Sequence, residues 1–347
     1  MKNLRLAPLA CTLIACASSA PPPADSLPPP ADSSTPSPTA SSAPSPAEPS
    51  SPPAAASPAP SRRRALPFPL AVQKEPIPPE LRETVANTER IGRLLFQFDH
   101  EADVSTAFLA AKISDDEYKG LAGSVTVLES DDAGAPTDSL VTVFLTKGEP
   151  PRVAFRVHAQ PGKEPAIDSV VPPAPVDDRL ARKLRASAMA LAGIPSWNGA
   201  MKAFVLPGHL VGSPGALVVY LIRREQQAGD LAIGMHYRVL VSPDGSTLQK
   251  VEPLSDVSWL RHLERTSVIT NFRLGHPSEV EVFQSLCHQE MQFLVASEHT
   301  QWGVFRGTVG ASVRPPDPNF VKDARRALRD VAAKNGMPIS ELPPEPR

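Results

Sequence analysis

From Pro79 onward, apolar positions recur at three- and four-residue steps: Leu81, Val85, Thr88, Ile91 and Leu95 follow a proline suited to a first helical turn. The spacing predicts an amphipathic helix whose end is weakened by Gly92, with Leu94 to Phe98 able to begin a strand instead. A second short helix is expected over 103–111, with Val104, Ala107, Phe108 and Ala111 on one stripe. The period then drops to two. Segments 124–129, 140–146 and Arg152–His158 read as strands. In the third, Val153, Phe155 and Val157 face one way and Arg152, Arg156 and His158 the other, the pattern of a sheet with one wet face. The acidic, Gly- and Pro-bearing stretch 131–138 suits a hairpin loop.

A Pro-rich break at 161–176 is expected as a subdomain boundary, and a helix over 177–192 follows it. Asp177 or Asp178 caps that helix, Leu180, Leu184, Ala188 and Leu191 line its apolar face, and Gly193 ends it. Arg179, Arg182, Lys183 and Arg185 fall away from that stripe and are expected on the solvated side. Strands are predicted at 201–206, 216–223, 231–242 and Leu248–Pro253. The run from Ala216 to Ile222 lacks any charge and should form a central strand covered on both faces, and a Pro-Asp-Gly turn at 243–245 joins two antiparallel strands. Further strands are expected at 266–272, Glu279–Cys287, 291–296 and 302–309, and a final helix at 318–335. Asp317 caps this last helix, Val321, Ala324, Leu328 and Val331 form its stripe, and Gly336 and Pro338 stop it. Strand blocks interleaved with a few helices, without an alternating βαβ series, predict an α+β fold of mainly antiparallel sheet. Two subdomains are expected, 76–165 and 176–310, followed by a terminal helix at 317–336.

Ahead of this periodic part the composition changes. Of 42 prolines, many cluster in 17–61, which is almost wholly Pro, Ala and Ser, with Asp25, Asp32 and Glu48 as its only charges. Such a segment has too little apolar surface to offset the entropy of ordering. Residues 16–75 are therefore expected to be a disordered tether. In an extended polyproline form, at about 3.1 Å per residue, the Pro/Ala/Ser part would reach roughly 140 Å. Arg62, Arg63 and Arg64 close that stretch.

The first fifteen residues carry Lys2 and Arg5, a short apolar run from Leu6 and small residues at the end, which reads as a secretory signal peptide. The run is far short of the ~20 residues a spanning helix needs. Leu13-Ile14-Ala15-Cys16 resembles the lipobox of bacterial lipoproteins, with leucine three places before the cysteine and a small residue just before it. The resemblance implies acylation of the Cys16 thiol, with palmitate among the chains, and cleavage ahead of it. The chain would then be held on a membrane through acylated Cys16. Ala17, rather than aspartate, follows the cysteine, which under the family's sorting rule implies the outer membrane.

Loss of the signal removes Lys2 and Arg5 and no acid, moving the net charge from −2 to −4. That balance leaves no basic footprint for nucleic acid. With Cys11 cleaved off and Cys16 acylated, Cys287 remains alone, so neither an internal disulfide nor a cysteine-based zinc site can form. Cys287 is expected as a buried, inert thiol, because its neighbour His288 would point to the opposite face of a strand. His236, His262, His276, His288 and His299 fall in the last third without helical or strand pair spacing and without HExxH, so no metal is assigned. Ser213 lacks the glycine of a nucleophile elbow. No phosphate-binding loop and no cofactor signature is present. His276, Glu279 and Trp302 are the candidate pocket, gathered near the start of a strand. The terminal helix carries Lys322, Arg325, Arg326, Arg329 and Lys334 against Asp323 and Asp330.

Two further resemblances touch the folded part. A helix followed by strands ending at Val241 and a Pro-Asp-Gly turn, within 178–252, resembles the PepSY module of secreted inhibitory proteins, with Ser242 in place of its aspartate. Thr270, His276-Pro277-Ser278-Glu279, Val282-Phe283, Ser285 and Trp302 are similar to the C-terminal part of uncharacterised bacterial proteins. Together these readings point to a lipid-anchored envelope protein with a non-catalytic binding or structural role toward a protein or wall polymer. The alternatives are an envelope hydrolase assembled from distant residues, with His276, Glu279 and a serine, and a PepSY-like inhibitory module.

Overall fold

No proline interrupts the chain between Pro79 and Pro136, and an apolar or small residue returns every three or four positions. In the computed structural model this stretch begins with one helix, α1 (Arg82–Lys112), in place of the two short helices expected. Its buried row runs Ile91, Leu95, Phe98, Ala102, Ser105 and Leu109. Ala102 and Ser105 keep the period while adding little hydrophobicity, which is why the pattern alone breaks there. The structure describes residues 74–75, 77–130, 136–159, 163–194, 201–223, 230–255, 259–262, 266–297, 299–312 and 317–334. The expected signal peptide, Cys16, the Pro/Ala/Ser stretch with Arg62 to Arg64, and Gly336 and Pro338 lie outside them. Residues 74 and 75, the last two of the stretch expected as tether, form a short paired strand, β1 (Lys74–Glu75).

At about 1.5 Å per residue, α1 is some 46 Å long and reaches three sheets. Its C-terminal end meets the first, formed after α2 (Asp115–Lys119) by β2 (Leu121–Ser130), β3 (Pro136–Thr146), β4 (Arg152–His158) and β5 (Ala166–Pro175) in that order. The expected Pro-rich break thus contributes a strand, with Asp168 opposite Arg156. Phe144, Ala154 and Val157 pack with Leu109 of α1 on one face. Val141, Val143, Leu145 and Val153 pack with Leu180 of α3 (Asp178–Ala192) on the other. Both faces of the sheet are therefore covered at its centre, in place of the single wet face expected. A bulge between Val153 and Phe155 also breaks the simple alternation, leaving Val153 on the α3 side and Phe155 on the α1 side.

The second sheet has the order β10-β9-β7-β6, from β6 (Met201–Pro207), β7 (Leu217–Arg223), β9 (Tyr237–Val241) and β10 (Leu248–Pro253). The charge-free strand β7 lies between β6 and β9, buried from Val218 to Ile222, as its composition requires. Tyr220 and Ile222 face α1, while Val219 and Leu221 pack with Ala186 and Ala190 of α3. The strand expected over 231–242 is split. Positive φ at Gly234 (80°) and Met235 (56°) separates β8 (Asp230–Ile233) from β9, and β8 pairs instead with β11 (Trp259–His262).

The third sheet has the order β1-β15-β14-β13-β12, from β12 (Thr266–Thr270), β13 (Gln292–Ala296), β14 (Gln301–Phe305) and β15 (Thr308–Ser312). Only the β12–β13 pairing is parallel among the described strands. Its crossover is α4 (Glu279–Cys287), a segment expected as a strand. A capping box decides for the helix: Ser278 Oγ and backbone N–H both donate to Glu281 at the third helical position. The segment expected as one strand over 302–309 turns at Arg306 and Gly307, with φ of 47° and 75°. The closing helix α5 (Pro318–Lys334) buries Leu328 against Phe272.

This is an α+β fold of mainly antiparallel sheet. The described residues belong to one compact unit, and the apolar cluster around Leu95 draws on β2, β6, β7 and α4. No described helix is long and apolar enough to cross a membrane.

Candidate functional site

The row of inward residues on the α3 side of the first sheet is apolar at one end and charged at the other. Alternation along β2 places Glu129 beyond Val127, and register places Val143 opposite Arg156 and Val141 opposite His158. His158 lies between two carboxylates, its Nε2 3.0 Å from Asp168 and its Nδ1 3.5 Å from Glu129. The helix above this end starts at Asp177, whose side chain accepts the Leu180 N–H at 2.7 Å, an N-cap fixing the first turn over the sheet. A recess of about 250 Å³ opens here, lined by Val127, Leu128, Glu129, Val141, Val143, Arg156, Asp177, Arg179, Leu180 and Lys183.

Arg179 crosses to the sheet and donates to the Leu128 carbonyl at 3.1 Å, and Arg156 lies 3.8 Å from Asp177. Both arginines thus have stated partners. Lys183 differs. It is 3% exposed, and its Nζ is buried with no acceptor within hydrogen-bonding reach. Burial pulls this amine down to about 8, the nearby Arg179 cation adds to the shift, and Asp177 opposes it. The basic residues of α3 are expected on its solvated side; Arg182 and Arg185 are exposed there, whereas Lys183 is buried. The helix is covered on two sides, by the first sheet at Leu180 and the second at Ala186 and Ala190, so its buried arc swings over position 183. The alanines at 186 and 190, three and seven places beyond the lysine, were the available signal.

The expected pocket residues bond in separate directions. Glu279, 5% exposed at the start of α4, accepts from Arg238 Nη1 at 2.9 Å and from Tyr220 Oη at 3.3 Å. Arg238 also donates to Glu252 at 2.6 Å. Burial and the Glu279 carboxylate push the Tyr220 hydroxyl well up. Trp302 is wholly buried beneath α4, and its indole N–H donates to the Gly275 carbonyl at 3.1 Å. That carbonyl adjoins His276, whose Nδ1 lies 2.7 Å from the Pro277 oxygen. Trp302 and His276 therefore share one turn, while Glu279 looks to the second sheet.

Cys287 is exposed at the end of α4, not buried, because it sits on the last turn of a helix rather than in a strand. His288 follows it as the C-cap, and His299 lies between β13 and β14. Among the described residues no three His, Cys, Asp or Glu side chains converge as a metal site. No family model, curated protein or solved structure matches this chain.

Proposed function

We propose that this is a lipid-anchored cell-envelope protein, held at the outer membrane through acylated Cys16, whose folded unit binds an envelope protein or wall polymer without chemistry of its own. The binding site is the recess between α3 and the first sheet. The observation that carries this reading is Lys183: an ammonium sealed from solvent without an acceptor costs stability, and groups of that kind concentrate at functional sites. Its apolar walls and a few convergent charges are the features of a ligand pocket rather than of a core. The anchor rests on the lipobox at 13–16, and the Pro/Ala/Ser stretch supplies reach from the membrane.

Two experiments on the full chain test the reading. Labelling with an alkynyl palmitate should mark the wild type and leave Cys16→Ser unmarked, with that variant shifted to the soluble fraction. Co-sedimentation with purified cell-wall material, or cross-linking to envelope proteins in cells, should show a partner whose retention falls with Lys183→Met. Retention by neither, or equal retention by both chains, would overturn the assignment of the recess.

A further inference from the structure

We infer that the recess beneath α3 binds a carboxylate carried on a small apolar group, with Lys183 as its counter-charge. This rests on the binding role proposed above and names the chemistry the site accepts. The lining holds three cations (Arg156, Arg179 and Lys183) and two carboxylates (Glu129 and Asp177), a surplus of one positive charge. Arg179 is already bonded to the Leu128 carbonyl and Arg156 sits beside Asp177, so the unmatched charge falls on Lys183. One surplus charge suits a monoanion. A phosphate dianion would face Glu129 and Asp177 at the same mouth with only one uncommitted cation to meet it. The remaining wall side chains, Val127, Leu128, Val141, Val143 and Leu180, are hydrocarbon. They fit a short alkyl group behind the carboxylate. The volume, about 250 Å³, lies below the ~300 Å³ at which pockets for drug-sized ligands begin, so the bound piece is small. Both a free branched-chain acid and the C-terminal residue of a peptide with a small side chain meet these terms.

Four charged groups surround Lys183 in the recess. Arg179 lowers its proton affinity, Asp177 raises it, and Glu129 and Arg156 stand at the rim from β2 and β4; β3 contributes only valines. A carboxylate at the amine adds an opposite charge and raises that affinity further, so binding above pH 8 draws a proton from solution.

The test is titration calorimetry of the full chain in detergent, with isovalerate, N-acetyl-alanyl-alanine, isovaleramide and inorganic phosphate as the four probes. Isovalerate or the dipeptide should bind at one site per chain, the first alone marking a free acid and the second a peptide terminus. The amide and phosphate should not bind. Affinity should be flat from about pH 6 to pH 8, where the acid is ionised and the amine protonated, and fall about tenfold per pH unit above pH 8. Lys183→Met should weaken binding about 10- to 100-fold, the loss of one charged hydrogen bond. Arg156→Ala, at the rim and clear of the buried position, should weaken it a few-fold and guards against a fold defect in the first variant. Phosphate binding without carboxylate binding would overturn the ligand class. Loss of wall or protein retention in Lys183→Met with no carboxylate bound would overturn this inference and leave the binding role standing. Equal behaviour of wild type and Lys183→Met in both assays would overturn the two together.

Discussion

Burying the Lys183 ammonium opposes folding. Its folded-state value, about 8, lies below the ordinary lysine value of 10.5. Between these the unfolded chain binds more protons than the native one, so wild-type stability rises with pH over that window. Lys183→Met should remove this slope and raise stability near neutral pH by about 1–3 kcal/mol, the usual cost of an unsatisfied buried polar group. Melting curves from pH 6 to 10.5 would show it. A variant that is more stable yet binds less is the signature of a residue kept for function. Glu281 behaves in the opposite sense. Burial lifts its carboxyl to about 7 from 4.5, against the hydrogen bonds from Ser278 that lower it. The native state then holds the extra proton, so its contribution to stability declines as pH rises from 4.5 to 7. Glu281→Gln preserves the capping geometry and should flatten that decline in the same melting series.

Between elements, close approach overrides local propensity. Gly92 lies inside α1, where alanine would be better by about 1 kcal/mol. A Cβ built there would sit 2.5 Å from Val282 of α4 and 2.8 Å from the Glu279 carbonyl. Gly92→Ala should therefore destabilise by about 1–3 kcal/mol, measured by urea unfolding, and an unchanged midpoint would contradict the tight α1–α4 contact. The same pair shows what the sequence conceals. Gly92 looked like a helix end because the neighbour that needs it lies 190 positions away at Val282. Segment Glu279–Cys287 looked like a strand because α4 is buried on nearly every side, between α1 and two sheets, and an all-buried helix shows no amphipathic stripe. Its Ser278-x-x-Glu281 cap was legible all along. The turn at Gly245 is a second close approach, its Cβ position 2.3 Å from the Arg182 carbonyl of α3. This contact sets the helix against the second sheet while Leu180 sets it against the first.

For the molecule as a whole, α1 is the common member of three apolar clusters, through Val85 in one, Ile91, Leu95 and Phe98 in a second, and Leu109 in the third. Leu95 is fully buried where α1, α4 and the second sheet meet. Leu95→Ala should cost about 2–5 kcal/mol and lower one cooperative transition, seen alike by far-ultraviolet circular dichroism and by tryptophan fluorescence. Two separated transitions would show that the sheets fold independently of the helix that joins them.

The sequence by itself determined the α+β class, the central strand β7, the Asp177 cap and most strand positions, because period, charge and capping residues act over a few neighbours. Tertiary structure alone decided that α1 is continuous, that α4 is a helix, that 166–175 pairs with β4, and that Lys183 faces inward. Each of these depends on what covers a face from far along the chain. A helix pattern shows how hydrophobic each side is, whereas burial depends on how many sheets it meets, and α3 meets two.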